Sequence, residues 1–128
     1  MQKINEYELF MKKILVAEDN DSNYILMTYI LKKDYEYTRA CNGQEAVEMV
    51  DAGGIDIVLM DMRMPIMDGL EATKLIKERH PELPVVALTA NAFGSDRDAA
   101  FEAGCDAFLP KPVSSSKCLE TIAQLLSK

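Results

Sequence analysis

The pattern of apolar residues constrains the fold of this chain more than any other feature of its sequence. Short, continuous apolar segments alternate with longer segments whose apolar residues recur at helical spacing. The pattern predicts strands at residues 14–17, 55–60, 85–88 and 107–109, and a weaker edge strand at 35–40. It predicts helices at about 22–33, 44–52, 70–79, 95–103 and 115–126.

This order of elements predicts a doubly wound α/β domain. Solidly apolar strands are typical of a parallel sheet that helices cover on both faces. Strand followed by helix, repeated along the chain, gives a (βα)₅ domain, and right-handed crossovers leave few topologies. We therefore expect a flavodoxin-like three-layer sandwich with a parallel sheet in the order 2-1-3-4-5.

Residues at the ends of the predicted helices support these boundaries. The side chains of Asp21-Ser22, Asp68, Ser95 and Ser114 are candidate N-caps, because short polar side chains accept hydrogen bonds from free backbone N–H groups. Glycines follow two of the helices, where a left-handed residue often ends the helix: Gly53-Gly54 and Gly104.

Composition excludes several classes of protein. The length of 128 residues suits one domain, and no apolar run is long enough to cross a bilayer. The charged N-terminal segment does not resemble a secretory signal, so the cytoplasm is the expected compartment. A net charge of −7 argues against nucleic-acid binding by this domain itself.

The cysteines and the single histidine do not form a recognisable site. Cys41, Cys105 and Cys118 are far apart and odd in number, which favours reduced thiols over a disulfide framework or a zinc site. His80 precedes Pro81 at a predicted helix end and has no His or Cys companion near it in sequence. We interpret His80 as a surface residue.

Acidic residues follow two of the predicted strands. Glu18 and Asp19 follow the first strand, and Asp61 follows the third. In the order 2-1-3-4-5 these strands are neighbours, so the three carboxylates should crowd together at one sheet edge. Either one carboxylate is protonated or a cation neutralises them. Hard oxygen ligands suit Mg²⁺, Mn²⁺ or Ca²⁺ and not zinc, and a few carboxylates with open positions for water and a phosphate oxygen fit Mg²⁺ best, with Mn²⁺ possible. The alternative, a role as helix cap or loop acid, is the one we favour for Asp21 and Asp68.

Other polar residues follow the remaining strands at the same edge. An Asp beside Mg²⁺ can attack phosphorus and form an aspartyl phosphate, which makes Asp61 a candidate nucleophile. Lys111 can pair with phosphoryl oxygens, and the Thr89 hydroxyl can donate to another. The small side chain of Ala90 leaves the approach open. Each residue alone is typical of a protein surface, but their positions after successive strands favour a phosphoryl site.

Four motifs relate the chain to a known family. They are ILVAEDN at 14–20, VLMDMRMPIMDG at 58–69, ALTANAF at 87–93 and AFLPKPV at 107–113. With them, the chain resembles the receiver domain of two-component response regulators over residues 12–128. Residues 1–11 are then an N-terminal extension or linker. The spacing D-x-x-M-P-x-M-D-G at 61–69 is highly specific for these receivers.

The resemblance assigns roles to the acidic residues. It implies that Asp61 is the phosphoryl acceptor and that Asp19 and Asp61 are direct Mg²⁺ ligands. It adds the backbone carbonyl of Arg63 as a ligand, and Glu18 as a ligand through water. Glu18 stands where the family more commonly has Asp, and Arg63 and Asn91 occupy positions that tune the lifetime of the phosphoryl group.

The resemblance also implies a switch. Thr89 and Lys111 would bind the phosphoryl oxygens beside Ala90, and the Lys111–Pro112 peptide would be cis. Phosphorylation would draw Thr89 inward, and Phe108 would turn into the space left. The face that includes residues 91–103 and 114–127 would change shape. A core aromatic role is the alternative for Phe108.

Partners follow from the same resemblance. The donor would be a sensor histidine kinase or a histidine phosphotransfer protein, and the output partner is not identified. The sequence TANAF at 89–93 is similar to receivers of hybrid histidine kinases, which would place the domain on the cytosolic side of a membrane-anchored chain. A free-standing regulator is the alternative, as a monomer or as a weak phosphorylation-dependent dimer.

Three competing functions fit the sequence less well. A phosphatase with an Asp nucleophile would place an acid two residues later, where this chain has Arg63. A flavin or nucleotide binder would need a phosphate-cradling loop after the first strand, where residues 18–21 are acidic instead. A degenerate receiver that is never phosphorylated would not need the acids together with Thr89 and Lys111.

Overall fold

The computed structural model describes residues 11–90 and 94–127, in which strands and helices alternate. The strands are β1 (Lys13–Ala17), β2 (Glu36–Ala40), β3 (Ile57–Asp61), β4 (Val85–Thr89) and β5 (Ala107–Pro110). The helices are α1 (Asp21–Leu31), α2 (Gly43–Ala52), α3 (Gly69–Arg79), α4 (Ser95–Ala103) and α5 (Ser115–Leu126). Asn91 and nearly all of the predicted N-terminal extension lie outside the described residues.

All pairings in the sheet are parallel, in the order β2-β1-β3-β4-β5. The predicted α/β topology is therefore confirmed. The register sets Ala17 opposite Met60 on β3, and Asp61 opposite Leu88 on β4. Since the strands run in one direction, the residues that follow β1, β3, β4 and β5 meet along one edge, which we call the carboxyl edge.

Helices cover both faces of the sheet and form a three-layer sandwich. Residues at alternate strand positions pack on opposite faces, as with Leu15 and Ile14 on β1. Core residues of α2, α3 and α4 join the Leu15 face, and those of α1 and α5 join the Ile14 face. Every residue of β3 and β4 is buried, which explains their solid apolar sequences.

The helix caps agree with the sequence at two helices and differ at two others. Asp68 and Ser114 cap α3 and α5, as predicted. The cap of α1 is Asn20 rather than Asp21-Ser22, because the extended backbone of Asn20 lets its side chain accept a hydrogen bond from Asn23 N–H at 2.9 Å. The cap of α4 is Gly94 rather than Ser95, and no side chain caps that helix.

The cysteines are free thiols, as predicted. Cys41 is exposed, whereas Cys105 and Cys118 lie in the core, where burial raises the pKa of each thiol to about 11. The two buried cysteines are therefore protonated core residues at neutral pH. His80 is the C-cap residue that follows α3, and its ring nitrogen lies 2.9 Å from a carboxylate oxygen of Asp51.

No helix in the described part of the chain has the length and apolar character that a membrane span requires.

The first turn of α3 packs directly against the end of β3. Gly69 N–H donates a hydrogen bond to the carbonyl of Met62 at 3.0 Å. A Cβ atom at Gly69 would lie 2.1 Å from the carbonyl oxygen of Asp61 and 2.8 Å from the Cα of Met62. Only glycine fits this contact, which fixes the backbone of Asp61 against the start of the helix.

Replacement of this glycine should destabilise the domain. We expect Gly69→Ala to lower the free energy of unfolding by about 1–3 kcal/mol, because the methyl group must displace the backbone of Asp61. Alanine's higher helix propensity acts in the opposite direction by about 1 kcal/mol. Urea unfolding followed by circular dichroism measures the change. The control is Glu78→Ala on the exposed side of α3, expected within about 0.5 kcal/mol of the wild type. An unchanged or increased stability of Gly69→Ala would contradict this account.

Candidate functional site

The carboxylates of Glu18, Asp19 and Asp61 lie together at the carboxyl edge of the sheet. One oxygen from each of the three lies within 4.8 Å of the others. Glu18 is 1% exposed and Asp61 is 6% exposed, whereas Asp19 is open to solvent. Two acids of the cluster are therefore buried, and the third faces outward beside them.

A lysine from the far end of the chain joins these acids. The ammonium group of Lys111 lies 2.9 Å from Oε1 of Glu18 and 3.3 Å from Oδ2 of Asp61. Its backbone N–H donates to the carbonyl of Thr89 at 2.8 Å, and the Lys111–Pro112 peptide is cis. These contacts bring the segment after β5 to the acids that follow β1 and end β3.

The electrostatics of the cluster show more negative charge than Lys111 neutralises. Burial raises the pKa of the Glu18 carboxyl above its ordinary value, and the hydrogen bond to Asp61 raises it further, against the effect of Lys111. Burial alone would lower the pKa of Lys111, but its hydrogen bond to Glu18 and the charges of Asp61 and Glu18 outweigh this and raise it. Lys111 therefore remains charged, whereas burial and the neighbouring Asp61 disfavour the charged form of Glu18.

The donor set fits a hard divalent cation. All the candidate ligand atoms of the cluster are carboxylate oxygens. Mg²⁺ prefers such oxygen ligands, whereas zinc sites are usually built from Cys and His. The exposed position of Asp19 leaves the cluster open to solvent on one side. A divalent cation would also offset the repulsion between Glu18 and Asp61.

Thr89 and Ala90 lie beside Asp61 on the neighbouring strand. Leu88 is opposite Asp61 in the register, so Thr89 is one residue further toward the carboxyl edge. Thr89 is 4% exposed and ends β4, and Ala90, directly after it, is exposed. The predicted phosphoryl-binding residues therefore line the same edge as the acids.

Arg63 and Phe108 lie at the margin of this cluster. The backbone N–H of Arg63 donates to Oδ1 of Asp61 at 3.2 Å, and its exposed guanidinium pairs with Asp96 at 3.3 Å. Phe108 is half-buried, with its ring edge-to-face with Phe101 at 6.0 Å and the Arg97 guanidinium 5.1 Å from its centre. Phe108 is thus neither in the acidic cluster nor a fully buried core residue.

Comparison with known proteins identifies the family. The family model for the response regulator receiver domain matches residues 14–123. The chain belongs to the response regulator receiver family. The receiver is 36% identical over 120 residues to the polar-differentiation response regulator DivK of Brucella anthropi, covering 90% of this chain and 96% of that protein. It is therefore a signalling switch of two-component systems and not a classical enzyme.

The receiver is also similar to two solved receiver structures. The receiver domain of the sensor histidine kinase PA1611 from Pseudomonas aeruginosa PAO1, with a magnesium ion in its active-site cleft, superposes with a TM-score of 0.87 at 30% identity. The match covers 92% of this chain and 99% of that one. The Ssk1 receiver of Saccharomyces cerevisiae, solved with the histidine phosphotransfer protein Ypd1, gives a TM-score of 0.84 at 30% identity, covering 90% and 88%.

Two residues next to the receiver's acids had no predicted role. Asn20, the cap of α1, donates its backbone N–H to Oε2 of Glu18 at 3.3 Å. Arg39 on β2 donates from Nε to the carbonyl of Glu18 at 3.0 Å and from Nη2 to Asp21 at 2.9 Å. Asn at a strand–helix junction is a signal for a cap, but nothing in the sequence around Arg39 indicates this contact.

Removal of the lysine charge should strengthen cation binding by the receiver. We expect Lys111→Ala to tighten divalent-cation binding by about fivefold or more, because an ammonium group no longer competes for Glu18 and Asp61. Isothermal titration calorimetry with Mg²⁺ or Mn²⁺ measures the constant. The matched control is Lys117→Ala on the exposed face of α5, expected to bind as the wild type does. Weaker binding by Lys111→Ala would show that the lysine supports the cation site instead of competing with it.

Proposed function

We propose that this receiver accepts a phosphoryl group from a phosphohistidine donor onto Asp61 in a Mg²⁺-dependent reaction. The observation that carries the proposal is the position of the Asp61 carboxylate. It ends a buried strand, lies within 4.8 Å of the Glu18 and Asp19 carboxylates, and is 3.3 Å from the Lys111 ammonium. A nucleophile, a cation site and a fixed positive charge thus converge on one point.

The chain's own groups would hold the cation. Asp19, Asp61 and the backbone carbonyl of Arg63 are the proposed direct ligands, and Glu18 acts through water. When bound, Mg²⁺ or Mn²⁺ would neutralise charge on the acids and on the phosphoryl oxygens. The burial of Glu18 and its contact with Lys111 favour an indirect role for Glu18, because one of its oxygens is already paired.

The transfer step exchanges one bond to phosphorus for another. An oxygen of the Asp61 carboxylate attacks the phosphorus of the phosphohistidine, the P–N bond breaks, and the imidazole nitrogen leaves with the electron pair and takes a proton from water. Lys111 would pair with one phosphoryl oxygen, and the Thr89 hydroxyl would donate to another. In the proposal the domain itself catalyses both this transfer and the later hydrolysis of the acyl phosphate.

The charge added at Asp61 would drive the switch. A phosphoryl group brings about −1.5 to −2 of charge next to Thr89 and Lys111. Thr89 and Ala90 would move toward it, and Phe108 would turn inward from its contacts with Arg97 and Phe101. Since Phe108 lies on β5, this turn would alter the face formed by α4, β5 and α5. Phosphorylation can shift the equilibrium between the two conformations only by the difference in the phosphoryl group's interaction free energy with each of them.

The comparisons suggest donors of two kinds. The Ypd1–Ssk1 complex pairs a receiver with a histidine phosphotransfer protein, and PA1611 is a sensor histidine kinase that carries a receiver. We propose one of these classes as the donor here, with the receiver free-standing like DivK or joined to a kinase.

Residues 1–11 would be a linker or extension to the domain at 12–128. The receiver would act in the cytoplasm as a monomer or a weak phosphorylation-dependent dimer, without contacting nucleic acid directly.

The central test is covalent labelling of Asp61. After incubation with acetyl phosphate, intact-protein mass spectrometry should show a Mg²⁺-dependent gain of one phosphoryl group that hydroxylamine removes. Asp61→Asn should abolish the gain because the amide oxygen is a poor nucleophile. Asp68→Asn is the matched control, since Asn also caps a helix and the α3 cap at Asp68 should remain.

Two results would refute this assignment. Labelling of Asp61→Asn at the wild-type level would place the acceptor elsewhere. If the wild type gains no mass, beryllofluoride is added as a stable phosphoryl mimic, and the Thr89 and Phe108 resonances are followed by NMR. No response of these resonances would show that the domain is a receiver that is not switched by phosphorylation.

The second test separates the metal site from the nucleophile. Asp19→Asn should weaken Mg²⁺ binding by about tenfold or more, equivalent to about 1.4 kcal/mol, because a charged ligand becomes neutral. Isothermal titration calorimetry gives the constant. Asp34→Asn, an exposed acid outside the cluster, is the control for loss of one negative charge. An unchanged constant for Asp19→Asn would remove this residue from the ligand set.

A further inference from the structure

We propose that Arg39 is a positioning residue that holds the loop at residues 18–21 so that Asp19 is directed at the cation. The inference rests on the proposed function, since it assigns a residue to the support of that metal site. Arg39 lies on β2, the edge strand of the sheet, and is separated from the loop by nearly twenty residues of sequence. No motif or charge pattern marked it.

The guanidinium of Arg39 contacts the loop at one residue before Asp19 and at one residue after it. Its Nε donates to the backbone carbonyl of Glu18 at 3.0 Å, directly before Asp19. Its Nη2 pairs with the carboxylate of Asp21 at 2.9 Å, two residues after Asp19. One side chain therefore contacts the loop at two points, with Asp19 between them; because the Asp21 side chain is 84% exposed, the hydrogen bond to the Glu18 carbonyl is the stronger of the two contacts.

The guanidinium is itself held in place by packing. It lies over the ring of Tyr24 at 4.6 Å, and Tyr24 contacts Tyr37 edge-to-face at 6.4 Å. The Arg39 side chain is 24% exposed, so solvent competes only in part for its donors. Tyr24 belongs to α1, which follows the loop, and Tyr37 belongs to β2, so these ring contacts connect the helix and the edge strand to the Arg39 guanidinium.

The direction of the Asp19 carboxylate depends on this backbone. Within the described residues, no hydrogen bond or salt bridge holds that carboxylate itself. The neighbouring backbone is held from outside the loop: Glu18 N–H donates to the carbonyl of Ala40 at 3.0 Å, and Arg39 takes the Glu18 carbonyl on the other side. Residues that orient a metal ligand in this way commonly change metal affinity when they are replaced.

Arginine is the residue type that this contact requires. A guanidinium offers separated donors in a rigid plane and a flat face that stacks on an aromatic ring. A lysine ammonium at the same position is a compact point charge on a flexible stem, without the rigid planar fork and without the flat face that lies over the Tyr24 ring. Arg39→Lys therefore keeps the charge and loses the fixed geometry of the two contacts.

The sign of the effect separates positioning from simple electrostatics. Arg39 carries a positive charge close to the cation site and repels a bound cation. If this repulsion were its only effect, replacing Arg39 by a neutral residue would tighten Mg²⁺ binding. Loss of positioning would weaken binding instead, because Asp19 is no longer held toward the cluster. Only the positioning role predicts weaker binding for a variant that removes a positive charge.

The experiment measures Mg²⁺ affinity of the full chain by NMR titration, using the backbone amides of the loop. We expect the dissociation constant to rise about tenfold in Arg39→Gln and about threefold in Arg39→Lys. Arg79→Gln is the matched control, because Arg79 pairs with Asp51 at the opposite end of the helices and also loses one positive charge. Its constant should stay within about twofold of the wild type.

A second measurement needs no metal. Hydrogen exchange at the Glu18 and Tyr24 amides, which donate to Ala40 and Asn20 carbonyls, should accelerate in both Arg39 variants and not in Arg79→Gln. Circular dichroism and urea unfolding establish that the variants remain folded. If Arg39→Gln does not fold, Arg39→Lys decides the question by the same two measurements.

The outcomes distinguish this role from the proposed function. Arg39 variants that bind Mg²⁺ as tightly as the wild type, or more tightly, overturn the positioning role while the metal site stands. Unchanged exchange at Glu18 and Tyr24 also overturns it. A wild-type receiver that binds no Mg²⁺ overturns the proposed function, and the role of Arg39 toward the cation with it.

Discussion

The repulsion between buried carboxylates at the end of β1 and β3 is the interaction on which the site depends. Glu18 and Asp61 are both nearly inaccessible to solvent, and burial next to another carboxylate raises the pKa of Glu18. Lys111 lowers the energy of this arrangement by contacting both acids, but one ammonium does not balance the Glu18, Asp19 and Asp61 carboxylates. The cluster therefore carries an excess of negative charge, which a bound divalent cation would offset.

The parallel sheet creates this crowding and also supplies what offsets it. Because β1 and β3 are adjacent and parallel, their last residues meet at one edge. The same geometry brings Thr89 from β4 and Lys111 from the segment after β5 to that edge. Close packing then fixes the details, as with Gly69, whose missing side chain lets α3 start against the backbone of Asp61.

Sequence patterns predicted the elements and their order, but not every boundary. The third strand was predicted from residue 55, whereas β3 begins at Ile57, because apolar residues before a strand do not show where ladder pairing starts. Two helix caps were displaced by one residue toward the N-terminus, at Asn20 and Gly94, since several polar or small residues compete for each cap. No local sequence pattern around Arg39 indicates its contacts with the loop at residues 18–21, because these contacts depend on how β2 pairs with β1.

The sequence by itself determined the fold class and the residues at the strand ends, including Asp19, Asp61, Thr89 and Lys111. These follow from local patterns, since a buried strand is recognisable from its own residues and the polar residue after it is adjacent in sequence. Only the tertiary structure decided that Glu18 is buried against Lys111, 93 residues away. It also decided that Arg39 contacts the Glu18 carbonyl and the Asp21 carboxylate, on either side of Asp19. Contacts between residues distant in sequence depend on sheet register and side-chain packing, which the hydrophobic pattern of a single chain does not specify.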